Sequence, residues 1–279
     1  MKAVAVLRLL MLLIFVPPAS ILVLPASAKN GGPTTAWDCN RSHYDVSIVQ
    51  GPGNIPGTVG GTTVTYASGP GSGNSIGVDD IVGLVKQGAV KVNINFPSKK
   101  LFVSPEAAVD LMGYKADIAF SVGNLILAGS LAVAPNQTIS IDADSIDQIV
   151  CPQMQSISAN NCPESSSTPA VIFGGTLDIK GVTSGVGESS CPHGQVITND
   201  ITTVSLTVAN APPPPPSPSI RVCLNVNDQP GTGNVQTTYN IGAYRRVFVR
   251  LNGYNAVNPS GTIGPNAQLF IGGGTPLCY

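Results

Sequence analysis

Gly73-Asn74-Ser75-Ile76-Gly77 carries the G-x-S-x-G spacing of a hydrolase nucleophile elbow. That chemistry needs its serine on a tight strand-to-helix turn, where the hydroxyl stands clear and a backbone N–H can meet the oxyanion. A triad in the order serine, acid, histidine is drawn as Ser75, then Asp142 or Asp147, then His193. The chain has only two histidines, so the order carries little information. Ser68-Gly69-Pro70-Gly71-Ser72 stands where a buried apolar strand ought to lead into the turn, and the alternating β-α pattern of that fold is missing. A secreted serine hydrolase is therefore the main rival reading, and no catalytic residue is favoured.

Asp142, Asp144 and Asp147 form a D-x-D-x-x-D cluster of hard oxygen donors suited to calcium. It lacks the glycine and distal glutamate of the helical calcium loop. Ile139, Ile141 and Ala143 alternate with Ser140, Asp142 and Asp144, so the same residues read as a strand with an acidic outer side. Calcium is the one cofactor suggested. Zinc needs close Cys or His spacing, and His193 two residues after Cys191 is the only hint of it.

The six cysteines are Cys39, Cys151, Cys162, Cys191, Cys223 and Cys278. An even number in an exported chain predicts three disulfides, with fifteen possible pairings. Cys151–Cys162 closes a short polar loop and Cys223–Cys278 ties the last residues to a strand, which leaves Cys39–Cys191. Trp37, close to Cys39, is expected to pack on a disulfide rather than to stack on a sugar.

These residues are placed by a chain that opens as an export signal. Lys2 and Arg8 precede the apolar run Leu9 to Val16, and Ala26-Ser27-Ala28 offers a cleavage site before Lys29. The run is too short to span a bilayer before Pro17-Pro18, so no transmembrane anchor is expected after cleavage. The formal net charge is −1, and losing Lys2 and Arg8 leaves the remainder more acidic. That argues against a nucleic-acid partner, which would want a basic stripe. With 10% charged residues, 31 Gly and 24 Pro, much of the surface falls to Ser, Thr, Asn and Gln, as in many secreted β proteins.

Period-two alternation predicts strands around 90–96, 118–122, 139–144, 203–208, 220–227 and 246–251. Asn124 to Ala134 and Ala170 to Phe173 are apolar on both sides and suit buried strands. Two helices are expected: 78–85, with Asp79 and Asp80 in its first turn, and one opened by Ser104-Pro105-Glu106 and running to Gly113. Loops are expected at 51–61, 68–77 and 153–169. Pro212 to Pro216 cannot join a sheet and predict a stiff spacer at 211–219, either dividing a main β domain, 29–210, from a C-terminal segment, 220–279, or joining two strands of one unit. No repeat of fixed period is visible, which argues against a solenoid.

The expected fold is mostly β: an antiparallel sandwich or related fold with one or two short helices, stapled by disulfides. The expected role is a secreted, extracellular or periplasmic non-enzymatic protein, free or cell-surface associated, that builds, adheres or binds a surface ligand or protein partner. The third alternative, an outer-membrane β-barrel, would need aromatic girdles that a chain with 5% aromatics lacks.

Overall fold

Neighbouring strands run in the same direction nearly everywhere among the described residues, and this organises them. The computed structural model describes residues 39–67, 74–149, 171–187, 196–213, 219–226, 234–252 and 255–272. After a 3-10 turn at Arg41–His43 come β1 (Val46–Val49), the hairpin β2 (Thr58–Gly60) and β3 (Thr63–Ala67), β4 (Asn74–Gly77) and helix α1 (Val78–Lys86). Then follow β5 (Lys91–Val103), β6 (Ala108–Leu111), β7 (Asp117–Leu127), β8 (Ser130–Val133), β9 (Thr138–Gln148), β10 (Ile172–Lys180) and β11 (Gly185–Val186). The last are β12 (Val196–Val208), β13 (Ile220–Val226), β14 (Asn234–Ile241), β15 (Arg246–Asn252), β16 (Asn255–Ile263) and β17 (Gln268–Ile271). Among the described residues the chain is mostly β with one α-helix, and the strands make one large mixed sheet.

Apart from the β2–β3 hairpin, every strand pairing among the described residues is parallel, so the expected antiparallel sandwich is corrected. Each strand lies on one from an earlier turn of the chain, which therefore coils. In the interior of the first side, Val64 pairs with Val92, Val92 with Ile118, Ile118 with Ile139, Ile139 with Leu177 and Leu177 with Val204. On the second side Leu101 pairs with Leu125, Leu125 with Ile146, Ile146 with Val186, Val186 with Val222 and Val222 with Val249. A third side is made by β6, β8 and the beginnings of β10 and β12. This is a parallel β-coil, a solenoid, and the expectation against one is corrected too. Its period escapes notice because the coils differ in length. Asp117 and Thr138, on adjacent coils, are 21 residues apart, and Ser140 and Asp178 are 38 apart. Parallel pairing is equally unlike the antiparallel strands that close an outer-membrane barrel.

Period two does the positioning. Along β5 to β9, alternate residues enter one apolar core that includes Val92, Ile94, Phe120 and Ile141, each no more than 2% exposed. α1 lies at the first coils: Val78, Ile81 and Val85, at i, i+3 and i+7, are buried, while Asp79 and Asp80 complement its N-terminus and Lys86 its last turn. The second expected helix is a strand, β6, after a tight turn. Ser104 donates its hydroxyl to the Ile48 carbonyl at 2.6 Å instead of capping, and exposure alternates along Ala108 to Leu111. The run 124–134 divides into the end of β7, a turn, and β8; β2 lies in the expected loop 51–61 and β4 at the end of 68–77.

β12 and β14, on opposite sides of the proline run, pair from Thr203↔Gln236 to Val208↔Ile241, and β12 also pairs with β13. Among the described residues no helix is long and apolar enough to cross a membrane. Cys39 and Cys223 are described and neither is a free thiol. Cys151, Cys162, Cys191 and Cys278 lie outside the described residues, as do His193, Trp37 and the expected export signal.

Candidate binding face

The outward residues of the first side are fixed by the same alternation that buries their neighbours. On β5, β7, β9 and β10 they include Lys91, Asp117, Asp142, Asp178 and Lys180, and the charges are partly spent within the face. Lys180 pairs with Asp178 at 2.7 Å, and Asp117 accepts the Thr138 backbone N–H at 2.8 Å. On the last coils the outward residues of this side carry no charge. β12 presents Thr203, Ser205 and Thr207, β14 presents Gln236, Thr238 and Asn240, and β16 presents Ser260 and Thr262. All are exposed or half-buried.

These residues stack in register: Thr203 on Gln236, Ser205 on Thr238 on Ser260, and Thr207 on Asn240 on Thr262. Adjacent strands lie about 4.8 Å apart and alternate residues about 6.7 Å apart along each strand, so the hydroxyls and amides form a lattice. Cross-coil hydrogen bonds stiffen it. The Thr238 and Ser260 hydroxyls are 3.2 Å apart, and Thr262 donates its hydroxyl to Asn240 Oδ1 at 3.2 Å.

A shallow groove of about 310 Å³ borders this lattice, lined by Thr207, Asn240 and Thr262 together with Asn210, Gly242, Ile263 and Gly264. Its floor is the corner where successive coils turn from the first side to the second. Gly242 donates its N–H to the Val208 carbonyl at 2.8 Å and Gly264 to the Ile241 carbonyl at 2.7 Å. The coils approach so closely that a Cβ on Gly264 would lie 2.6 Å from the Ala243 nitrogen, and one on Gly242 would meet the Asn210 nitrogen. Asn210 Oδ1 accepts the Ala243 N–H at 2.8 Å, and Arg245 donates Nε–H to the Ala209 carbonyl at 2.9 Å. The groove is thus built from polar groups, the buried side chains of Val208 and Ile241 and one exposed apolar residue, Ile263.

Ser75 stands elsewhere, inside β4 and three residues before α1. A strand and a helix do flank it, as the motif requires, but its side chain sits in a strand position paired with Ser47 rather than on the turn. Its backbone is not in the left-handed region. Its Oγ accepts the Asn54 N–H at 3.3 Å, its N–H is donated to Asn54 Oδ1 at 2.7 Å, and its carbonyl accepts the N–H groups of Asn54 and Ile55. These bonds fasten the 51–57 loop to the first coils. Asp142 belongs to the outer first side, whereas Ser75 belongs to the second, so the structure does not join them as a pair.

Asp147 is also separated from the other two aspartates. Asp142 and Asp144 are exposed on β9, where Asp144 accepts the Thr183 hydroxyl at 2.9 Å. Asp147 is 5% exposed on the second side, where Ser145 donates to it at 3.3 Å. Among the described residues no group of three acidic, histidine or cysteine side chains could hold a metal ion.

A wider cleft of about 590 Å³ separates the 53–57 loop from α1, lined by Ile55, Pro56, Leu84, Asp79, Asp80 and Gln87 among others. Asp80 accepts the Gly53 N–H at 2.8 Å across it. The fully buried Tyr66 hydroxyl has no hydrogen-bond partner. Burial, aided by the Asp80 charge, pushes its pKa up to about 12.

The hydroxyl lattice was written in the sequence as Thr-x-Ser-x-Thr at 203–207, Gln-x-Thr-x-Asn at 236–240 and Ser-x-Thr at 260–262. Unequal coil lengths concealed that the three lie side by side. Comparison with protein-family models, curated proteins and solved structures returned no match.

Proposed function

We propose that the chain is an exported, non-enzymatic β protein that binds a hydroxyl-rich, uncharged surface or polymer through the outer face of β12, β14 and β16. One observation carries this reading: eight stacked polar side chains without a formal charge, in register across three coils, hydrogen-bonded to one another between β14 and β16 and bordered by a shallow groove. Such a face has little order to gain on binding and offers repeating hydrogen-bond partners to a repeating ligand. Export through a signal cleaved before Lys29, a soluble or surface-associated destination, and a framework of disulfides belong to the same reading. They account together for the even cysteine count and the low charge.

The test is retention of the purified chain by insoluble neutral polysaccharides. Retention that persists at high salt is the expected result, because the face offers no net charge to screen. Passage through every such matrix overturns the ligand class. Intact-mass measurement of the exported form, expected to begin at Lys29, tests the export half separately.

A further inference from the structure

The two ends of the coil are finished differently. At the first end, α1 covers the core with Val78, Ile81 and Val85. At the last end β16 pairs only with β14 and β17 only with β15, so among the described strands their outer edges carry no partner. Ile263 stands in register with the core residue Ile241 and Ile271 with Val249. The inner pair are 2% and 0% exposed, whereas Ile263 and Ile271 are 57% and 47% exposed. Phe270, 38% exposed, stacks on Phe248 at 4.7 Å, with the Arg246 guanidinium over both rings at 5.1 and 5.4 Å. Residues placed to be core are thus left on the surface beside bare parallel strand edges, the arrangement that invites pairing with another chain.

Charge says which chain. On the last coil Arg246 is exposed and Arg245 half-buried, while beyond position 200 the sequence has Asp228 as its one acid and no lysine follows Lys180. At the other end the first turn of α1 supplies Asp79 and Asp80 to a cleft that also offers Pro56 and Leu84, with Lys86 set apart in the last turn of the helix. Val59 and Val90 nearby are 57% and 47% exposed. Two last coils meeting each other would bring arginine against arginine. A last coil meeting a first end would bring arginine against aspartate and apolar against apolar.

We propose that the open last coil docks on the helix-covered first end of a second copy, head to tail. Because the two surfaces differ, such an interface is heterologous and each added copy leaves another open end.

Sedimentation velocity of the purified chain, at concentrations up to about 100 μM, tests this. The expected result is a mean mass that climbs past the dimer with concentration and falls as salt is raised. Ile271→Glu should weaken association about tenfold or more, given the apolar area it removes. Asp79→Arg and Arg246→Glu should each weaken it about threefold to tenfold, while mixing these two variants restores it, since each then supplies the sign the other lacks. Circular dichroism verifies folding, and Ile263→Ser replaces Ile271→Glu should that variant unfold. A chain that stays monomeric throughout overturns the proposal. So does association that stops at a dimer and is indifferent to Asp79→Arg, the mark of two like ends pairing.

Discussion

Tyr66 shows how a single residue reports on the packing around it. Its ring is wholly enclosed, yet its hydroxyl is unpaired and its pKa stands at about 12 against 10.0 in the unfolded chain. The native state therefore keeps a proton that the unfolded state releases. The stability tied to this group is complete below pH 10 and is lost as pH rises toward 12, by about 2–3 kcal/mol. Tyr66→Phe should abolish that part of the alkaline loss, leaving the smaller part due to Tyr239, whose pKa burial also raises. At neutral pH the same substitution removes an unpaired buried hydroxyl and should leave stability unchanged or raise it by about 1 kcal/mol. Urea titrations across this pH range measure both effects. Ser75 reports differently, because its polar atoms are engaged in holding the 51–57 loop. Ser75→Ala should leave labelling by a fluorophosphonate probe unchanged at background, and labelling that depends on Ser75 would revive the hydrolase reading.

Elements were legible where alternation was clean and obscure where two structures share one local pattern. β7, β12, β13 and β15 follow from period two, and α1 from an apolar stripe with acids in its first turn. Ser104-Pro105-Glu106 has the residues of a helix start, but Val109 and Leu111 alternate with Ala108 and Asp110, and β6 can pair with β8. Tertiary pairing outweighs a three-residue local preference there. Parallel against antiparallel could not be read at all, since both orientations bury alternate residues alike. The corners, not the strands, carry the tightest constraint. At Gly264 a side chain would strike the Ala243 backbone, so Gly264→Ala should cost about 1–3 kcal/mol in a urea melt, more than Thr262→Ala two residues away on the open face.

For the whole molecule, a coil of unequal turns explains why a chain without visible repeats makes a repetitive surface. Asp142, Asp144 and Asp147 looked like one cluster because they are close in sequence, and the strand leaves the first two outside and buries Asp147 on another side. Thr207, Asn240 and Thr262 looked unrelated because they are distant, and the coil stacks them. The proposed role rests on that stacking. The most direct test is the retention of the purified chain by insoluble neutral polysaccharide, compared with a variant carrying Thr207→Glu, Thr238→Glu and Thr262→Glu. These positions are half-buried or exposed, so the variant should keep its fold and lose retention about tenfold or more, three charges having been set against an uncharged ligand and the hydroxyl lattice broken. Equal retention of the folded variant and the parent chain would contradict the assignment of this face.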